Sequence, residues 1–394
     1  MSKIIQKNNP LSFLQQRINY AEKHIVDPTY YVENVPNRED NLNALHFDFN
    51  QSLNYCASQG LPNLINTIIT REKKRYQLDV CYEQAMITNG GMHALSLIFQ
   101  SLRTHGKKVL CQSPVFASVS ELLINNHYDV IYIPDKLTPK QLENFLGLHL
   151  DANFIYINTP NNPTGKIYSN DYLSVILSFI QNTSSKLVVD LVYDDFVFIE
   201  HHDFNPLLLN YDWSKVFTIN SVSKNWGLPG LRVGWIVSHA DNILKLVKLL
   251  EDDCVCVNPL TQEFAAQAIA LGNNELIERV SNGKKIIQEL LGNDNKIRIN
   301  NPDGGTQIYA RFPVKDIEDF ADYMLINYDL VLATTSNYAM ADEQSIRMPI
   351  GCPKEKILYC VSTLINGLGS YIEQLNIGLN QQKVYDSTAL TIDA

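Results

Sequence analysis

A lysine at the end of an apolar strand, set among hydroxyls and an aromatic ring, is a candidate nucleophile. Lys224 has that setting in Asn220-Ser-Val-Ser-Lys-Asn-Trp-Gly-Leu-Pro-Gly-Leu-Arg232, straight after the apolar run 216–219. Desolvation or a cationic neighbour lowers a lysine pKa. The neutral amine that results can attack a carbonyl and form a Schiff base. Arg232 follows eight residues later, past Gly227, Pro229 and Gly230, so the chain can turn back and bring a guanidinium to the same place. Guanidinium groups suit bidentate phosphate binding. The plain alternative is a surface lysine in a polar loop.

Three further segments carry related chemistry. Asp190 closes the apolar run 187–190, and a lone buried carboxylate needs a partner. Gly90 and Gly91, in Thr88-Asn-Gly-Gly-Met-His-Ala-Leu95, precede a helical pattern. Glycine lets an anion approach the backbone, and a helix N-terminus offers free N–H groups and a positive dipole end. Asn158-Thr-Pro-Asn-Asn-Pro-Thr-Gly165 follows the apolar run 154–157, and its prolines and glycine enforce an irregular loop. Asp194 and Asp195 read as solvated or capping residues, and His93 as an ordinary helix residue. The C-x-C at Cys254 and Cys256 has no second pair at metal spacing, so no metal is expected.

These segments must be held by a common scaffold. Apolar runs at 109–112, 130–133, 154–157, 187–190, 216–219 and 234–237 read as buried strands, with helical patterns such as 92–102 and 170–180 between them. That alternation predicts an α/β domain with a mostly parallel sheet covered on both faces. After about residue 275 the pattern becomes α+β, with strands at 296–299, 307–312, near Leu330 and at 345–348, a helix at 314–326 and a last helix from Pro353. The predicted division is an N-terminal segment 1–50 packing with the small domain, a large domain 51–280, a small α+β domain 281–380 and a polar, disordered tail 381–394.

The Ser221-x-Ser223-Lys224 run followed by Gly230-Leu-Arg232 resembles the cofactor-lysine segment of class I/II aminotransferases, the fold-type I enzymes that use pyridoxal 5'-phosphate (PLP). Other segments resemble the family's motifs in the same order, over roughly residues 50 to 350. The steps from Asn162 to Asp190 (28 residues) and from Asp190 to Lys224 (34 residues) suit consecutive strand-end loops. The resemblance implies a seven-stranded sheet in a large PLP-binding domain. It implies that Lys224 carries PLP, that Asp190 pairs with the pyridine nitrogen, and that Asn162 and Tyr193 hydrogen-bond the phenolic oxygen. Gly90, Gly91, Met92, Ser221, Ser223 and Arg232 would belong to the phosphate site, with the role of Ser223 the least defined. Phe116 would stack on the ring. Arg347, in Ser345-Ile-Arg-Met348, would clamp the substrate carboxylate, with Asn162 also near the substrate. Tyr55 would reach the phosphate of a neighbouring subunit, which implies a homodimer with its site at the interface.

The implied reaction moves the amino group of an L-amino acid to a 2-oxo acid, with freed Lys224 as general base. The same residues also serve elimination, replacement, cyclisation or oxidation of an amino acid. Two stretches depart from the family pattern. The first 50 residues do not look like the usual substrate-contacting arm, and Ala333-Thr-Thr-Ser-Asn-Tyr338 replaces a commoner Pro-Gly loop. Glu22, Asp27, Tyr30, Tyr31 and Glu33 could face a basic or aromatic substrate side chain, or simply water.

Composition narrows the remaining classes. The 394 residues carry a net charge of -10 without a long basic run, which argues against nucleic acid. No stretch approaches the roughly 20 apolar residues that span a bilayer. Seven scattered cysteines suit reduced thiols and a cytoplasmic location.

Overall fold

The computed structural model describes residues 4–389 apart from 34, 37, 39–44, 47, 104–106, 200–211, 295 and 342–343. Its larger sheet has seven strands, in the order Ala85–Thr88, Gly234–Val237, Val216–Ser221, Lys186–Asp190, Phe154–Asn158, Lys108–Gln112 and Asp129–Ile133. Gly234–Val237 runs antiparallel to both neighbours, and the other pairs are parallel. The expected α/β fold with a mostly parallel sheet is therefore the one observed. Central strands such as Phe154–Asn158 are buried along their whole length. Helices cover both faces, so these strands read as unbroken apolar runs and not as alternation. Ala85–Thr88 is absent from the six runs named above.

One face of the sheet packs on Gly91–Leu102, which buries Ala94, Leu95, Leu97, Ile98, Phe99 and Leu102. Phe99 stacks on Phe154 with ring centroids 5.4 Å apart, and its full burial contributes about 1.5–3 kcal/mol. The other face packs on Asn170–Asn182 through Ile176, Leu177 and Ile180. Ser169 caps that helix by accepting from the Tyr172 N–H at 3.3 Å.

The second sheet has five strands, in the order Thr29–Tyr31, Leu330–Thr334, Ser345–Pro349, Gln307–Arg311 and Arg298–Ile299. Thr29–Tyr31 adds in parallel to Leu330–Thr334, so the start of the chain is built into the sheet formed by its end. Tyr31 is fully buried, and its hydroxyl donates to the Pro349 carbonyl at 3.0 Å. A two-stranded pairing of Val115–Phe116 with Tyr338–Ala339 ties the larger sheet's loops to the second unit.

The tail departs from expectation. Helix Lys354–Ala389 continues through the residues read as disordered from 381 onward. No proline interrupts that segment, and helical hydrogen bonds are local, so polar composition alone does not end a helix. Residues 390–394 lie outside the described residues. Among the described residues no helix is long and apolar enough to cross a membrane.

Candidate active site

Strand register brings the candidate residues to one edge of the large sheet. Asn158 pairs with Asp190, and Asp190 with Ile219, two residues before Ser221. The loops that follow these carboxyl ends face a common crevice, where open α/β sheets bind ligands.

Asp190 is buried, at 7% exposure. Its Oδ1 accepts from the Val192 N–H at 3.1 Å and its Oδ2 from the Tyr156 hydroxyl at 3.0 Å. Burial pushes its carboxyl up to about 6, while these two bonds pull the other way. The backbone carbonyl of Asp190 accepts from Asn158 Nδ2 at 3.1 Å, and Asn158 Oδ1 accepts from the Asn162 N–H at 2.8 Å. The Asn158–Gly165 loop is thereby seated on the neighbouring strand. A Cβ on Gly165 would lie 2.4 Å from Pro302 Cβ, so the turn at 302–305 closes over this loop only because residue 165 is glycine.

Lys224 sits in the short helix Val222–Asn225, directly after strand Val216–Ser221. Its pKa is lowered to about 7, first by burial, then by the Arg347 and Arg232 charges, with Asp190 opposing. Arg232 adopts left-handed backbone (φ 52°), and its Nη1 donates to the Pro229 carbonyl at 3.0 Å. A Cβ on Gly90 would stand 2.4 Å from Arg232 Nη2, so glycine there lets the guanidinium lie against the start of helix Gly91–Leu102.

Asp194 and Asp195 correct the reading of solvated or capping residues. Asp194 is fully buried. It accepts from Arg71 Nη2 at 2.7 Å, Asn220 Nδ2 at 2.9 Å, Asn225 Nδ2 at 2.6 Å and the Tyr76 hydroxyl. Burial alone would raise its pKa, but the Arg71 and Arg75 charges hold it below the usual carboxylate range. Asp195 pairs with Arg71 at 2.9 Å and accepts from Asn273 Nδ2 at 2.7 Å. Two consecutive aspartates look solvated in sequence. Only the fold shows helix Pro62–Tyr76 bringing Arg71 and Tyr76 against them.

These elements enclose a cavity of about 380 Å³. Lys224, Asp190, Tyr193, Asn162, Gly91, Met92, Phe116, Ser221, Ser223, Arg232 and Arg347 all line it. Gly90 lies behind the wall, against Arg232. Tyr55 does not line this cavity, and its side chain is 82% exposed. Of the acidic and aromatic N-terminal residues, none lines the cavity. Tyr31 is core, and Glu33 lies 3.7 Å from Lys356. The N-terminal segment reaches the site through Leu14 and Val32, and Arg347 Nη2 donates to the Val32 carbonyl.

The donor set fits PLP. Glycine backbone at a helix start, Ser221 and Arg232 suit a phosphate dianion. Phe116, Val115 and Val192 offer apolar walls for a ring, with the Asp190 carboxylate among them. Lys224 supplies an amine with a near-neutral pKa. Asn162 lines the cavity, and its buried side-chain amide oxygen has no hydrogen-bond partner among the described residues.

Known proteins agree with this chemistry. The family described as aminotransferase class I and II matches residues 27–364. The L-aspartate:5-guanidino-3-methyl-2-oxopentanoate transaminase of Pseudomonas syringae pv. syringae is 37% identical over 376 residues, covering 94% of this chain and 97% of that protein. This chain belongs to the class I and II aminotransferases. The aminotransferase uses PLP and moves an amino group between an amino acid and a 2-oxo acid. The 3-methylarginine biosynthesis aminotransferase ArgM of Streptomyces arginensis is 34% identical, covering 75% of this chain and 80% of its own. The solved aspartate aminotransferase of Thermotoga maritima has the same fold, with a TM-score of 0.82 at 21% identity over 91% of this chain and 98% of its own.

Sequence reasoning missed several residues of this aminotransferase's cavity: Tyr156, Val192, Leu14, Val32, Asn337 and Tyr338. Tyr156 had a signal, being a polar-tipped ring inside an apolar strand two residues from its end. Leu14 and Val32 had none.

Proposed function

We propose that Lys224 carries PLP and also moves the substrate proton, in transamination between L-aspartate and a 2-oxo acid with a guanidino side chain. One observation carries the residue assignments: Lys224, Asp190, Asn162 and Arg347 converge on a single cavity in which Lys224 is held near neutral pKa. PLP, when bound, supplies an aldehyde that captures amines and an electron-poor ring that accepts charge from the substrate Cα.

The chain's own residues do the rest. Lys224 is neutral for a large fraction of the time near pH 7, so its amine serves as nucleophile and then as general base at Cα. The Asp190 carboxylate, held by Tyr156 and Val192, would pair with the ring nitrogen of PLP, and Asn162 and Tyr193 would donate to its phenolic oxygen. The N–H groups of Gly91 and Met92, with Ser221, Ser223 and Arg232, would hold the phosphate, with Gly90 making room for Arg232, and Phe116 would cover a ring face. Arg347 holds the substrate carboxylate and so fixes which Cα bond faces the base. Asn162 also borders the substrate.

The guanidino acceptor and the aspartate donor are supported by the names of the two relatives above, whose similarity runs over most of the chain. Leu14, Val32 and Val115 offer an apolar lining for the aliphatic part of such a side chain. The large unit at 51–280, the small unit at 281–380 with segment 1–50, and the tail beyond 381 remain our division of the chain. We propose a homodimer in which Tyr55 completes the partner's phosphate site. Exposed Phe49, Leu53 and Tyr55 on one short stretch support a covering copy. All seven cysteines are free, which supports a cytoplasmic enzyme.

Borohydride reduction of the PLP-loaded enzyme followed by peptide mass mapping tests the attachment. The expected pyridoxyl group is on Lys224, and its appearance on another lysine overturns the assignment. Incubation of L-aspartate with 5-guanidino-2-oxopentanoate tests the substrates. Arginine should form, and failure to form it alongside ready use of aliphatic oxo acids would remove the guanidino reading.

A further inference from the structure

We propose that the Tyr338 hydroxyl is a second hydrogen-bond donor to the substrate α-carboxylate, beside Arg347. The inference rests on the reading of Arg347 as the carboxylate clamp.

Tyr338 is held from two sides. Strand Tyr338–Ala339 pairs antiparallel with Val115–Phe116, with Tyr338 opposite Phe116. The two rings lie tilted, 6.2 Å between centroids. Arg347 arrives from strand Ser345–Pro349 of the five-stranded sheet, where it pairs with Ala333, five residues before Tyr338 in the chain. Both side chains line the cavity that holds Lys224, and each is 5% exposed.

The two side chains share an unmet need. Among the described residues, the buried Tyr338 hydroxyl and the buried Arg347 Nε have no partner at good hydrogen-bond geometry. Burial raises the phenol's pKa, and the Arg347 charge and a side-chain contact from Arg347 to the phenol oxygen oppose it, so the oxygen faces the guanidinium and its O–H is left to donate into the cavity. Arg347 Nη2 is already engaged by the Val32 carbonyl. Leaving a buried donor unsatisfied costs about 1–3 kcal/mol, so two on one wall point to a shared acceptor. A carboxylate is acceptor-only, with about four lone-pair sites, and satisfies an N–H and an O–H together. Burial keeps the phenol protonated, so it is the donor.

The test compares PLP-loaded wild type with Tyr338→Phe and Arg347→Lys. Tyr338→Phe keeps the ring packing against Phe116 and removes only the O–H. The probes are L-aspartate and β-alanine, which lacks only the α-carboxylate, with equilibrium binding read from the cofactor's visible absorbance and KM and kcat read for aspartate. Tyr338→Phe should weaken aspartate about tenfold, raise KM with kcat nearly unchanged, and leave β-alanine binding as in wild type. Aspartate binding unchanged in Tyr338→Phe but weakened in Arg347→Lys would overturn the Tyr338 role and leave the clamp standing. Equal weakening of both probes would mark a packing role and overturn it too. Unchanged binding in both variants would remove the clamp reading itself.

Discussion

The carboxylate of Asp194 accepts a hydrogen bond from the side-chain amide of Asn225, the residue directly after Lys224, at 2.6 Å. It also accepts from Asn220, four residues before the lysine, at 2.9 Å. One buried charge thus grips both ends of the turn that presents the amine. Arg71 balances that charge and lies over Trp226, 5.4 Å from the ring centroid.

Asp194→Ala should therefore be strongly destabilising. It leaves the Arg71 guanidinium buried beside fewer carboxylates and frees two amides. Breaking a buried pair from one side costs about 3–5 kcal/mol. Urea unfolding monitored by tryptophan fluorescence reads the loss directly, since Trp226 and Trp235 both lie under Arg71. Stability within 1 kcal/mol of wild type, roughly the scatter of surface substitutions, would contradict this account.

Tyr156→Phe removes one of the two bonds that oppose the upward push on Asp190. The Asp190 pKa should then climb further above about 6. A bond to a charged group is worth roughly 1.5–3 kcal/mol, or about one pH unit or more. The carboxylate is lost sooner on acidification, so the acid limb of kcat/KM should move to higher pH. A titration of the Asp190 side-chain carbon by NMR reads the same shift without turnover.

Lys224 has its folded pKa lowered to about 7 from 10.5, first by burial and then by Arg347 and Arg232. Between those values the unfolded chain keeps a proton that the folded apoprotein has released. Stability contributed by this group therefore rises with pH across that window, and the full cost is present below it. Lys224→Met apoprotein should be more stable than wild type near about pH 6, with each unit of pKa separation worth about 1.4 kcal/mol at most. The advantage should fade as pH rises toward 10.5. Thermal melts across that range supply the comparison, and a gap that widens with pH would reverse the assignment.

Gly90→Ala places a Cβ 2.4 Å from Arg232 Nη2 at a residue with φ of 81° and ψ of 173°. That backbone region is essentially confined to glycine and costs other residues about 1–3 kcal/mol. The guanidinium must also shift away from the helix start. PLP affinity should fall at least about tenfold, measured by titrating apoprotein, while overall secondary structure by circular dichroism stays intact.

Strand-end chemistry was legible because each piece is contiguous. An apolar run, a polar residue at its end and a turn after it lie within a dozen residues, as in 216–232 and 154–165. Most strands were legible for the same reason, but Ala85–Thr88, Thr29–Tyr31 and the pair Val115–Phe116 and Tyr338–Ala339 were not. The Asp194 cluster was not legible, since Tyr76 and its counter-charge Arg71 stand 118 and 123 residues away along the chain.

The amino-acid sequence alone marked Lys224 as a candidate nucleophile, Asp190 and the Asn158–Gly165 loop as candidate companions and the Gly90-Gly91 turn as a candidate anion site, and it indicated the α/β class. These depend on neighbours along the chain, where residue type and spacing act directly. Tertiary structure alone decided that Tyr156 meets Asp190 across a strand register, that Val32 meets Arg347 from 315 residues away, and that Tyr338 is fastened beside Phe116. Those contacts arise from sheet pairing and burial, whose energies depend on which surfaces meet in space, and adjacency in sequence carries no record of that.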